Sequence, residues 1–406
     1  MRSNTEGHSV IPGHSMHKMK VAVVFGGRSS EHEVSLTSAV SILQNINREK
    51  YDVLPIKITR TGRWLLLSSD QGLNTAKALD EASGPLLSVS DPETPGFYVL
   101  DGAEGASGKI ADFIRADVVF PVLHGTFGED GTVQGLLSLS NLPCVGAGVM
   151  ASAIGMDKVL MKQVFLQNDL PCVDFIWFLR KKWKSDSGVI LDAVRKEMGF
   201  PCFVKPANAG SSVGVYKAKD ETELARFIGA AAEYDRKILV EKAVAGRELE
   251  CSVLGNDEPE SSVVGEIVPA NEFYDYEAKY ISEGSKTIVP ADLSEPITRA
   301  VRHFAVEAFK ALDCAGMARV DFFLERDSNR IFVNEINTIP GFTPISMYPK
   351  MWEASGIPYL ELIDRLIGLA MERHQDVTGS AFSLKEVGEK PQKASSPAVA
   401  SARRIA

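Results

Sequence analysis

Val21-Ala22-Val23-Val24-Phe25 is an unbroken apolar run that stops at Gly26-Gly27. A short continuous run closed by glycines predicts a strand buried on both faces and then a tight turn. Behind Ser30-x-x-Glu33, which has the form of a capping box, Leu36, Val40 and Leu43 recur at helical spacing. Strand, glycine turn and helix predict an α/β opening. The apolar stretches at 51–58 and 118–123 predict further strands of one parallel sheet. The spacing predicts helices over 156–168, 221–232, 297–312 and 359–372, and a strand at 201–205 leading into a glycine- and serine-rich loop. Residues 319–324 and 330–335 predict two strands joined at Asp327-Ser328-Asn329.

These elements divide the chain into an N-terminal α/β domain at 19–148, a central lobe at 149–240 and a C-terminal lobe at 241–374, with no internal repeat. The flanks 1–18 and 375–406 are polar, with little to bury, and predict disordered tails. The first holds three histidines and lacks the apolar core of a secretory signal.

Composition narrows the function classes. The 406 residues are 45% hydrophobic and 24% charged, which suits two or three globular domains. A formal net charge of -9 makes the chain a poor general binder of nucleic acid or of anionic membrane. A polyanionic ligand would need local cations and oriented backbone amides. No stretch is long and apolar enough to span a bilayer. The five cysteines, Cys144, Cys172, Cys202, Cys251 and Cys314, show neither metal-ligand nor redox spacing, so they are expected as reduced thiols in the cytoplasm.

The run from Lys205-Pro206 through Asn208 to Gly210-Ser211-Ser212-Val213-Gly214 carries a lysine from a strand into a small-residue loop. Such a loop presents backbone N–H groups to phosphate and the lysine adds a point charge, although an ordinary flexible connection has the same composition. No GxxxxGK[ST] occurs, and Gly26-Gly27 is not a GxGxxG fingerprint. In the predicted hairpin Asp321 lies near Glu335, while Glu335 and Asn337, two apart, share one face. Three oxygen donors on one face suit Mg²⁺; the plain alternative is a solvated acidic hairpin. Lys158 on its helix would ordinarily be a surface charge. Glu241-Lys242 ends the apolar strand Ile238-Leu239-Val240, with Glu248 seven residues on. His124 before Gly125 would ordinarily be structural.

In combination these segments resemble the D-alanine–D-alanine ligases of the ATP-grasp superfamily, over residues 19–373. The resemblance is carried by the run from Phe25-Gly26-Gly27 to Ser35, His124-Gly125 with Gly128-Glu129-Asp130-Gly131, Met156-Asp157-Lys158, and Gly210–Gly214. The run from Phe273 to Tyr280 and Asn334-Glu335-Ile336-Asn337-Thr338-Ile339-Pro340-Gly341 complete it, in the family's order. It implies an α/β and α+β chain, an ATP-grasp fold behind an N-terminal parallel-sheet domain. By the same resemblance Lys158, Lys205, Ser212 and Lys279 meet the phosphates. Glu241, Lys242 and Val244 hold adenine, and Glu248 takes the ribose. Asp321, Glu335 and Asn337 hold two Mg²⁺ (or Mn²⁺). Glu31 pairs with the first D-alanine's ammonium and is linked through Ser211 to Tyr280 on a lid at 272–286. Arg319 and the Gly341 N–H stabilise the oxyanion. His124, Ser346 and Met347 contact substrate. The implied reaction joins two D-alanines through an acyl phosphate, with ATP converted to ADP, for peptidoglycan synthesis, in an enzyme expected to be a homodimer.

Three other readings are open. A D-alanine–D-lactate or D-alanine–D-serine ligase differs in the lid; depsipeptide formers carry a histidine in the role of Tyr280, and none occurs between His124 and His303. A non-catalytic nucleotide-binding protein on the same fold is opposed by the complete set of cations and acids. A dehydrogenase is opposed by the missing glycine fingerprint.

Overall fold

The computed structural model describes residues 18–67, 75–76, 84–88, 90–101, 109–268 and 286–380. The tails expected at 1–18 and 375–406 lie almost wholly outside these residues, as do Lys279, Tyr280 and most of the lid expected at 272–286.

Strand β1 (Met19–Gly26) is the buried run predicted from its composition. It is flanked in parallel by β2 (Tyr51–Ile58) and β7 (Val118–Val122). The sheet does not stay parallel. Between β2 and β7 the chain adds β3 (Trp64–Leu66), β4 (Pro85–Ser88), β5 (Gly96–Asp101) and β6 (Lys109–Arg115), each antiparallel to its neighbour, in the order β6-β5-β4-β3-β2-β1-β7. Short links join antiparallel strands directly, whereas a parallel partner needs a long crossover.

The crossover from β1 to β2 is helix α1 (His32–Asn45). The expected capping box does not form. Glu31 is the N-cap and makes no side-chain cap bond, and Glu33 pairs instead with Arg60. Ser29 holds this turn: its Oγ accepts from the Glu31 N–H at 3.1 Å and donates to the His124 carbonyl at 2.7 Å. Helix α2 (Thr132–Leu139) follows β7.

The helix expected over 156–168 is α4 (Lys158–Gln167); a further helix, α3 (Val149–Met156), precedes it outside that span. Asp157 breaks them with extended backbone, and its carboxylate accepts the Val159 and Leu160 N–H groups at 3.1 Å each. An aspartate that satisfies two orphan donors starts a new helix. Burial pushes the Asp157 carboxyl up, but the Lys237 ammonium and the Leu160 N–H outweigh it and hold it below its ordinary value.

The central lobe runs through β8 (Phe175–Leu179), α5 (Arg180–Ser185), α6 (Ser187–Glu197), β9 (Cys202–Pro206), β10 (Tyr216–Ala218), α7 (Glu221–Tyr234) and β11 (Lys237–Lys242). Its antiparallel sheet has the order β10-β9-β11-β8, packed through Phe178, Val204 and Val240 against Val194 and Ile228. The C-terminal lobe holds β12 (Gly246–Gly255), β13 (Glu260–Val268), β14 (Lys286–Ile288), α8 (Glu295–Ala311), β15 (Gly316–Glu325), β16 (Ile331–Asn337), α9 (Met347–Ala354) and α10 (Tyr359–Thr378). Its sheet order is β14-β13-β12-β15-β16.

Packing cuts across the divisions read from the sequence. Ala151, Met161 and Phe165 of α3 and α4 lie in the C-terminal lobe's core with Leu249, Val301 and Phe322. Leu362, Leu366 and Ile367 of α10 share a core with Val23, Phe25 and Phe120 of the first sheet. The helix continues past the boundary expected at 374. All five cysteines are free thiols, four buried and Cys144 half-buried. Among the described residues no helix is long and apolar enough to cross a membrane.

Candidate active site

The turn and helix that follow β1 meet a loop from each lobe: Glu31 contacts the loop after β9, and Ser38 the loop after β16. Glu31, buried at the start of α1, accepts a hydrogen bond from Ser211 Oγ of the loop after β9. Gly125 and Gly210 close on the same carboxylate: a Cβ on either would lie 2.6 and 2.7 Å from Glu31 Oε2. Only glycines let two backbones approach an acid this closely. Ser211 and Ser212 both adopt left-handed backbone, φ 48° and 59°, which costs on the order of 1 kcal/mol for a non-glycine residue and is tolerated where surrounding contacts hold it.

Lys158 is not the surface charge its helix position suggests. Its ammonium lies 3.2 Å from Glu335 on β16 and donates to the Ala209 carbonyl at 2.9 Å, so it spans α4, β16 and the glycine loop. Burial lowers its pKa, but Glu335 wins and the net shift is upward. On the central sheet Lys205 (β9) meets Glu241 (β11) at 2.5 Å, and Glu241 also meets Lys162 at 2.9 Å. Burial raises the Glu241 carboxyl, but Lys162 and Lys205 overcome it and bring its pKa to about 2. Lys162 and Glu241 are almost fully buried, at 1% and 3% side-chain exposure. Lys242 is exposed and Val244 and Glu248 are half-buried around the strand end.

The hairpin of β15 and β16 assembles the acids as predicted. Asp321 and Glu335 are register partners, as are Arg319 and Asn337. A bulge at this point inserts Asn334, since Phe322 pairs with Val333, and bulges commonly re-aim side chains next to active sites. Arg319 grips Asp321 through two bonds of 2.7 Å and lies 3.2 Å from Glu250. Burial lowers its pKa; Asp321 and then Glu250 more than reverse this, and the guanidinium stays charged. Asn337 Nδ2 donates to Asp321 at 3.1 Å. Among the described residues no three His, Cys, Asp or Glu side chains converge as a ready-made metal cage. Two carboxylates and an amide, all hard oxygen donors at one place, nevertheless fit a divalent cation that takes few protein ligands.

Gly341 sits in the loop between β16 and α9. Ser346 is the N-cap residue of α9, and its Oγ accepts the Thr343 N–H at 3.0 Å; Met347 is buried behind it. His124 is buried, with one ring nitrogen 3.2 Å from the Ile339 carbonyl and the other 3.1 Å from Ser38 Oγ. Both are taken up by the protein, so His124 stands as a structural link beside the site and not as a free substrate donor. Glu129 accepts the Gly125 N–H at 2.8 Å; burial, then Glu31, raises its carboxyl well above the usual range.

Sequence reasoning missed Lys162, Glu250, Ser38 and Ser29. Two carried a signal. Lys162 lies four residues after Lys158, on the same helix face. Glu250 alternates with Glu248 opposite the apolar Leu249 and Cys251. Ser38 and Ser29 act through contacts with residues nearly ninety or more positions away, which local patterns do not show.

Comparison with known proteins places this geometry. One family model, described as "D-ala D-ala ligase N-terminus", matches residues 20–147, and another, "D-ala D-ala ligase C-terminus", matches residues 164–368. The chain is 47% identical to the D-alanine–D-alanine ligase of Acetivibrio thermocellus over 394 residues, 92% of this chain and 99% of that one. It is 50% identical to that of Solibacter usitatus over 366 residues, 90% and 99% of the two chains. Among solved structures, the D-alanine–D-alanine ligase of Coxiella burnetii aligns with a TM-score of 0.77 at 38% identity, covering 89% of this chain and 96% of that chain. The VanG D-Ala:D-Ser ligase of Enterococcus faecalis aligns with the same TM-score at 36% identity, covering 87% and 100%.

Proposed function

This chain belongs to the D-alanine–D-alanine ligase family and is an ADP-forming ligase of peptidoglycan precursor synthesis that uses ATP, D-alanine and a divalent metal; we propose the following division of labour among its residues. Glu31, backed by Ser211, holds the ammonium of the first D-alanine at the carboxyl end of β1, where ligands bind in open α/β sheets. The carboxylate of that D-alanine attacks the γ-phosphorus of ATP, the bond to ADP breaks, and a D-alanyl phosphate forms. The second D-alanine, its amine deprotonated, attacks the carbonyl carbon, and phosphate leaves with the electron pair of the broken C–O bond.

Carboxylate and triphosphate repel, so the first step needs positive charge between them. Lys158, Lys205 and, on the family pattern, Lys279 supply part of it, and Ser212 adds loop contacts. Asp321, Glu335 and Asn337 would hold two Mg²⁺ or Mn²⁺, which neutralise the phosphate oxygens when bound. Glu241, Lys242 and Val244 border the adenine and Glu248 takes the ribose. Arg319 and the Gly341 N–H receive the oxyanion of the second step, while Ser346 and Met347 hold the second carboxylate. Tyr280 extends the Glu31–Ser211 link into a lid. The 3.2 Å approach of Lys158 to Glu335 carries this reading, because it puts a phosphate lysine and a metal acid from different elements at one place.

We place the enzyme in the cytoplasm, where ATP and D-alanine are available, as a homodimer, the commonest closed assembly. Phosphate release with ATP, Mg²⁺ and D-alanine, set against D-serine, D-lactate, L-alanine or no amino acid, tests the substrate assignment. A rate with D-serine or D-lactate above that with D-alanine as second substrate would overturn it. Light scattering at the mass of a single chain would overturn the dimer.

A further inference from the structure

Ser38 lies on α1, fully buried, and belongs to no motif of the sequence. Its hydroxyl is 3.1 Å from His124 Nε2 and accepts the Phe342 N–H at 3.3 Å. His124 Nδ1 is 3.2 Å from the Ile339 carbonyl. Burial lowers the His124 pKa and favours the neutral ring, for which the donors can be ordered in one way. A carbonyl accepts, so Nδ1 carries the proton; Nε2 is then bare and accepts from Ser38 O–H, whose lone pair is left for Phe342 N–H. The chain of bonds therefore leaves the loop at Phe342, passes through Ser38 and His124, and re-enters at Ile339. Pro340 and Gly341 are the two residues enclosed.

Further contacts hold the same loop, among them the Phe342 ring against Tyr348 and Tyr359. Tyr359 donates to the Phe342 carbonyl at 2.8 Å, and the Phe342 ring meets Phe120 edge-on at 6.0 Å. These fix the Phe342 side; on the Ile339 side the side chain is buried in the core and the carbonyl is held by His124. The N-terminal domain thus grips a C-terminal-lobe loop on either side of one glycine.

We propose that Ser38 is a positioning residue for the second half-reaction: through His124 it sets where the Gly341 N–H meets the oxyanion. The inference rests on the reading of Gly341 as an oxyanion donor. An oxyanion donor acts only if it is already in place, so a displaced N–H slows amine attack more than it slows phosphoryl transfer. The acyl phosphate then waits long enough to leave the site. In solvent, where the Gly341 N–H plays no part, a water oxygen bonds to the carbonyl carbon, the C–O bond to phosphate breaks, phosphate takes up the proton, and D-alanine is regenerated with ATP spent.

The test compares phosphate with dipeptide in the full-length enzyme at saturating ATP, Mg²⁺ and D-alanine. Ser38→Ala removes both bonds; Ser38→Cys keeps the volume with a weak donor and carries the test if the alanine variant folds poorly. The expected result is a phosphate-to-dipeptide ratio rising above one in both. Dipeptide kcat should fall about tenfold in Ser38→Ala, with nucleotide affinity by titration unchanged, as lost hydrogen bonds of ordinary strength imply. Gly341→Ala is the reference, because its Cβ would lie 2.7 Å from Ser346 Oγ and displace the amide. If Gly341→Ala uncouples the reaction and neither Ser38 variant does, the relay is wrong and the Gly341 reading stands. If none of the three uncouples it, the Gly341 reading has failed and the inference falls with it.

Discussion

Glu241→Gln tests the electrostatics of the central lobe. The carboxylate is shared by Lys162 at 2.9 Å and Lys205 at 2.5 Å, all three groups being largely or wholly buried. Its pKa falls from 4.5 to about 2, a depression that corresponds to about 3 kcal/mol at roughly 1.4 kcal/mol per unit. Breaking a buried pair by removing one partner costs about 3–5 kcal/mol, which is the same order. Because the folded pKa is depressed, the contribution is full above pH 4.5 and is lost as the pH falls toward 2. Urea unfolding at pH 7, followed by the fluorescence of Trp177 and Trp183 in the central lobe, should show Glu241→Gln less stable by about 3 kcal/mol with an unchanged m-value. The gap should narrow below pH 4.5. Adding Lys162→Met should restore part of the loss, since the double variant no longer buries the surplus ammonium. A single variant within about 1 kcal/mol of the parent at pH 7, or a gap that widens in acid, would refute the reasoning.

Glu335→Gln removes a charge from the proposed metal acids and from Lys158, and activity should fall on the order of a hundredfold or more when rates are measured across Mg²⁺ concentrations; near-normal rates at limiting Mg²⁺ would take Glu335 out of the metal site. Glu31→Gln should weaken the use of the first D-alanine by about 1.5–3 kcal/mol while titrated nucleotide affinity holds, and an equal loss of both would return Glu31 to a structural role. Gly210→Ala should fold normally, because its Cβ meets the movable end of the Glu31 side chain, yet raise the KM for D-alanine; an unchanged KM would mean that the loop does not set the Glu31 position. An enzyme trimmed to Lys18–Ser380 keeps all of α10 and should retain its kcat; a large loss would show that a tail completes the site.

What the sequence made legible was periodic or local. The β1 run and Glu335 two positions from Asn337 follow from strand periodicity alone; the hairpin was legible too, but unbroken pairing would set Asp321 against Asn334, and the bulge brings Glu335 there instead. What it hid was set by distance along the chain. Ser30-x-x-Glu33 satisfies a local rule, yet Ser29 holds the turn because it also reaches His124, ninety-five residues away. Helix α3, and the break after it at Asp157, were hidden because an aspartate at a helix start gives no sign of a helix before it, and its carboxylate is fixed by Lys237 and Asn208 from another strand and loop. Helices α3 and α4 precede the central lobe in sequence but face the C-terminal core, and apolar periodicity states that a face is buried without stating against what.

The charged groups of the site come in matched sets: Lys158 with Glu335, Lys205 with Glu241, Arg319 with Asp321. In each, a cation assigned to phosphate or oxyanion is held by an acid, and Asp321 and Glu335 are themselves assigned to metal. On the proposed assignments, ATP and its metals would exchange partners with these sets: Lys158 would turn from Glu335 to phosphate, Arg319 would turn from Asp321 to the oxyanion, and Asp321 and Glu335 would hold divalent cation in return, so that no partner is left buried and unpaired. Glu241 differs from the other two acids. When Lys205 turns to phosphate, Lys162 remains, and the carboxylate keeps one full ion pair in the core. On that reading Lys162 lets Lys205 leave Glu241 at small cost. Lys162→Met should consequently raise the KM for ATP, because Lys205 must then abandon a buried acid with no second partner, while the KM for D-alanine, bound at Glu31 on the other side of the glycine loop, stays the same. Equal changes in the two constants would show that Lys162 only stabilises the fold.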